Sequence, residues 1–111
     1  MPTLHDPHER AFVLHRLAQS LRWQERHERA RLMSRRACAM EARHARSLGV
    51  GPWAAQAWVS TAWYALDAGR VGAADGCVRR AREADAGFMG DDEVADLLDA
   101  IAEARTGQVQ R

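Results

Sequence analysis

The run from Ser60 to Asp85, STAWYALDAGRVGAADGCVRRAREAD, consists largely of helix formers, yet it carries Gly69, Gly72 and Gly76 within eight residues. A glycine inside a helix costs roughly 1 kcal/mol relative to alanine, so the run reads as two helices and a turn rather than one helix. Ala54, Trp58, Thr61, Ala62 and Ala65 share one face before Gly69, and Val71, Ala74, Val78 and Ala81 share one after it. Gly69 is then the turn, and Gly72 falls in the first turn of the second helix. Gly76 lies inside that helix with no reason visible at this level.

The same period governs the rest of the chain. β-Branched residues are few and apolar positions do not alternate, so the fold class expected is all-α. In DPHE, Asp6 suits an N-cap, Pro7 the first helical position and Glu9 the third residue of a capping box. Leu14, Leu17, Ala18 and Leu21 then line one face of a first helix ending near Arg22 or Trp23. No glycine or proline forces a break in LRWQERHERA, and one long helix to Leu48 is the alternative to the turn expected at Gln24–Arg26. Ala30, Met33, Ala37 and Met40 mark the second helix. Gly49 can cap it and Pro52 can open a third, which is expected to reach about Ala68. DAGFMGDD is a further turn, and Val94, Leu97, Leu98, Ile101 and Ala104 form the stripe of a fifth helix before a frayed TGQVQR tail.

A chain of 111 residues fits one domain with a modest core. Because 22 residues are alanine, larger side chains are expected to anchor that core: Phe12, Leu14, Leu17, Leu21, Trp53, Trp58, Trp63, Tyr64, Leu97, Leu98 and Ile101. All sixteen basic residues are arginine, which codon bias in a GC-rich genome explains more simply than selection for anion recognition. Residues 1–50 hold ten Arg against five acids and residues 51–111 six against ten, so the halves carry about +5 and −4. That polarity is compatible with head-to-tail contact, and it is not the uniform excess of a dedicated nucleic-acid binder. Cys38 and Cys77 stand far apart and read as buried free thiols. Neither a signal-like apolar core nor a membrane-length run is visible, and a cytoplasmic location is the expectation.

Trp58, Ala62, Gly69, Ala74 and Ala81 resemble the tetratricopeptide repeat, occupying the places of its tryptophan, small residue, turn glycine and two close-packing alanines. Thr61, Ala65, Val78 and Ala86 depart from its leucine, tyrosine, large aromatic and proline. A fainter copy upstream has Leu14, Leu17, Ala18, Leu21, Ala30 and Ala37, with Glu25 where the glycine belongs. From Ala30 to Ala74 the offset is 44 residues, against the family's usual period of 34. The resemblance implies a right-handed array of antiparallel hairpins: a first repeat over 6–48 with an extended second helix, a second over 52–86, and a capping helix over 90–106.

Members of that family bind peptides or protein segments on a concave face lined by the first helix of each repeat. Carried over by position, the resemblance implies a partner-binding face of Phe12, His15, Gln19, Arg22 and Trp23 from one unit and Gln56, Val59, Trp63, Leu66 and Asp67 from the other. Trp23 and Trp63 read equally well as core residues. The function expected is a protein-interaction module: an adaptor, small chaperone or regulatory subunit with a protein or peptide partner, or a homodimer that covers the exposed ends of the array.

Two other classes have sequence support. Arg22, Arg26 and Arg29 share a face and Arg35, Arg36, Arg43 and Arg46 extend it, as a nucleic-acid binder would require. Glu25, Glu28 and Glu41 interleave as intrahelical partners, which favours a solvated, salt-bridged face instead. EARH, Glu41 to His44, matches the Glu-x-x-His element of di-iron helical bundles, and His5 with His8 offers another pair. A second copy and further glutamates are not visible, although a dimer could supply them, so surface histidines, no metal and no cofactor are expected. No nucleophile–base pair or phosphate loop suggests an enzyme.

Overall fold

The computed structural model describes residues 6–87 and 92–109. Five helices follow in order: α1 Pro7–Trp23, α2 His27–Leu48, α3 Pro52–Asp67, α4 Val71–Ala84 and α5 Asp92–Val109. No strand occurs among the described residues. Helices α1 and α2 pack as one hairpin, α3 and α4 as a second, and α2 packs against α3 to join them. Among the described residues, no helix is long and apolar enough to cross a membrane.

The boundaries follow from local chemistry. Asp6 caps α1, its carboxylate accepting from the His8 backbone N–H at 2.9 Å, and Pro7 opens the helix as expected. The chain does break after Trp23, without a glycine, because Glu25 itself adopts φ +60°. Arg26 N–H donates to the Leu21 carbonyl at 2.8 Å and Glu25 N–H to that of Arg22 at 3.0 Å, the paired bonds of a Schellman turn. The same pair recurs 44 residues on. Arg70 N–H donates to Ala65 at 2.8 Å and Gly69 N–H to Leu66 at 2.9 Å, with Gly69 at φ +76°. One turn geometry is thus built twice, by glutamate and by glycine.

The hairpins also match in their cores. Ala11, Ala18, Ala30 and Ala37 are buried in the first, and Ala55, Ala62, Ala74 and Ala81, each 44 positions later, are buried in the second. Alanine at these crossings lets the helix axes approach closely. Trp58 is buried too, with Arg46 on α2 and Arg80 on α4 both over its ring. Trp58 thus touches side chains from both hairpins.

Between the hairpins, Gly49 and Gly51 adopt φ of +77° and +109°, and Gly51 N–H donates to the Ala84 carbonyl at 3.0 Å, tying the loop to the end of α4. Helix α5 lies on α3 and α4 through buried Val94, Leu97 and Ile101, and Arg105 pairs with Asp75.

Two expectations are corrected. Phe12, Leu17, Trp53 and Leu98 are exposed rather than core anchors, because alanines line the close helix crossings and leave no room there for larger side chains. The tail does not fray at Thr106: α5 continues through Val109, with Thr106 Oγ1 donating to the Ala102 carbonyl at 3.0 Å. The DAGFMGDD turn lies partly outside the described residues, as does His5.

Candidate functional site

Spacing of four, three and four residues places Phe12, Arg16, Gln19 and Trp23 in one stripe along α1, and all four are exposed. The positions 44 later, Gln56, Ser60, Trp63 and Asp67, make the same stripe on α3, with Gln56 exposed and the others half-buried. Trp23 is 89% exposed and carries no core role, whereas Trp63 packs partly against the core. Arg16 lies over the Phe12 ring at 5.9 Å.

Where the two stripes adjoin, Asp67 joins α3 to α1. Its Oδ2 lies 3.2 Å from His15 Nδ1 and 3.5 Å from Arg22 Nη2. The His15 ring also stacks at a tilt on Tyr64, 4.7 Å between centroids. Burial lowers the His15 pKa, opposed by the Asp67 carboxylate and aided by the Arg22 charge, so the neutral ring is favoured. Burial, with the charges of Glu41 and Asp67, pushes Tyr64 up to about 12 and keeps it a phenol.

Of the residues expected to face a partner, Phe12, Gln19, Trp23, Gln56, Trp63 and Asp67 lie on these stripes, and His15 and Arg22 occupy the seam between them. Val59 is the exception. It is 1% exposed and belongs to the buried cluster that includes Val94, Leu97 and Ile101. His15, its counterpart in the first hairpin, is only half-buried where it meets Tyr64 and Asp67 of α3, whereas Val59 is sealed within the common core. Leu66 is half-buried against the core.

Two further features were not assembled by sequence reasoning. At the start of α1, His8 reaches Glu41 on α2, with Nδ1 2.7 and 2.8 Å from its two carboxylate oxygens. His44 lies one turn beyond Glu41, its ring centroid 5.4 Å from that of His8. These side chains line a cleft of about 260 Å³ with Leu48, Trp53, Gln56, Ala57 and Ser60. Glu41 is wholly buried, and that burial raises its pKa while His8 opposes the rise. The EARH spacing was legible; its meeting with a histidine 33 residues earlier needed the hairpin.

The second feature is a groove of about 380 Å³ between α2 and α4, lined by Arg43, Arg46, Arg70 and Arg80 with Trp58 and Gly76 and without an acidic side chain. Cys38 and Cys77 lie on its wall, both buried, and burial pushes the Cys77 thiol up to about 11. Gly76 is not there for close packing, since a methyl group added to it would meet nothing within 4 Å.

Compared with known proteins, the chain matches no family model, no curated protein and no solved structure.

Proposed function

We propose that this chain is a protein-interaction module of the tetratricopeptide-like kind, which captures a peptide or protein segment across the stripes of α1 and α3. The observation that supports this most is the exposed row Phe12, Arg16, Gln19 and Trp23 beside Gln56, Ser60, Trp63 and Asp67. An aromatic-rich surface with an arginine supplies the side chains that dominate binding energy, and two rigid hairpins hold it with little ordering cost. Val13 and Leu17 extend the exposed apolar surface of α1 beside this row. They suit either a longer client or a second copy of the chain. The role is one of binding, as adaptor, holding chaperone or regulatory subunit, rather than catalysis.

The test is selection from a displayed peptide library, with counter-selection on a Phe12→Ala/Trp23→Ala variant. Both residues are exposed, so the variant keeps its fold. A shared peptide motif that the variant fails to retain is the expected result; no enriched motif, or equal retention, would contradict the reading.

A second reading, an anionic partner such as nucleic acid, is favoured by one observation: four arginines line the α2–α4 groove without an acid. It predicts binding that weakens steeply with added salt. Absence of retardation of DNA or RNA at low salt removes it.

A further inference from the structure

We propose that His8, Glu41 and His44 form a mononuclear site for a divalent first-row transition ion of the zinc class. This inference does not rest on the α1–α3 face. Two imidazoles and one carboxylate are a donor set suited to such ions. One donor atom from each residue lies within 4.8 Å of the other two. A tetrahedral ion with bonds near 2.1 Å sets its ligands about 3.4 Å apart, so the donors need to draw together by no more than about 1.4 Å.

Three observations distinguish this cluster from a chance surface grouping. Glu41 is wholly buried, and a buried carboxylate is expensive unless a cation or hydrogen-bond donors satisfy it. Both its oxygens turn towards one ring nitrogen, His8 Nδ1, although a single N–H has only one proton to share between them. His44 adds a donor on the same helical face, one turn on, where it offers an imidazole to the cleft without being needed for the His8–Glu41 pair.

The cleft lining includes no arginine to repel a cation. Gln56 and Ser60 add neutral polar side chains to the lining, and Trp53 and Leu48 add apolar ones. Such a lining suits a water molecule or a small anionic ligand at the fourth position. Binding through His8 Nδ1 requires that nitrogen to lose its proton. In the neutral ring the proton then sits on Nε2.

The test uses the full chain without an affinity tag, stripped by chelator, and titrated with Co²⁺ followed by visible absorption and with Zn²⁺ followed by calorimetry. The expected result is one ion per chain and ligand-field bands of a low-coordinate site. His44→Leu leaves the His8–Glu41 pair intact, so circular dichroism should be unchanged while affinity falls by at least the tenfold that even outer partners of a metal site command. His8→Gln should weaken binding similarly. Two results would overturn the proposal: no saturable binding at one ion per chain, or binding that survives both substitutions and therefore belongs to other histidines.

Discussion

Individual side chains show how the repeat tolerates imperfect chemistry. Ser34 occupies the position that Val78 holds in the second hairpin; both are buried, but the Ser34 hydroxyl has no hydrogen-bond partner. An unsatisfied buried hydroxyl costs about 1–3 kcal/mol, so Ser34→Ala should raise unfolding free energy by about 1 kcal/mol after the small loss of volume, read from urea denaturation. His15 sets a pH dependence. Its folded pKa lies below the unfolded value of 6.5, so the fold binds fewer protons than the unfolded chain. The stability it contributes is complete above pH 6.5 and is lost as pH falls through the lowered pKa. Denaturation midpoints measured from pH 7.5 to pH 5 should show this fall, and His15→Gln should flatten it. Neither property was legible in the sequence, because each depends on which helix lies opposite.

At the scale of elements, the chain was largely readable. Helix periods, the Pro7 and Pro52 starts and the Gly69 turn are local signals, and each appears where the residues predict it. Turn chemistry was harder at Glu25, where a non-glycine residue holds a left-handed conformation that normally costs roughly 1–2 kcal/mol. The two turns allow a reciprocal experiment: Glu25→Gly should stabilise the protein by about 1 kcal/mol and Gly69→Ala should destabilise it by a similar amount, with thermal unfolding as the readout. Gly76 gives the complementary case. It lies within α4 facing open space, so Gly76→Ala should add roughly 1 kcal/mol through helix propensity alone. Core composition misled for a related reason. A list of large apolar residues overlooks how little room alanine-lined crossings leave, which is why Trp53 and Phe12 lie outside.

At the scale of the whole molecule, a repeat explains both what was legible and what was not. An offset of 44 residues aligns turn to turn and buried alanine to buried alanine, so the stripes on α1 and α3 follow from sequence once the register is known. Val59 escaped that logic because it is sealed in the common core, whereas His15, its counterpart 44 residues earlier, is only half-buried. The His8–Glu41–His44 cluster escaped it because the extra length of α2, beyond the end matched by α4, has no counterpart to compare. The central claim is that the α1–α3 face, and not the α2–α4 surface, meets the partner. Placing a photo-crosslinking amino acid at the exposed or half-exposed positions of Arg16 and Ser60, and in parallel at exposed Arg35 and Arg79, tests it in the native host. Discrete adducts from positions 16 and 60 with none from 35 and 79 are predicted. Adducts confined to positions 35 and 79 would contradict the claim.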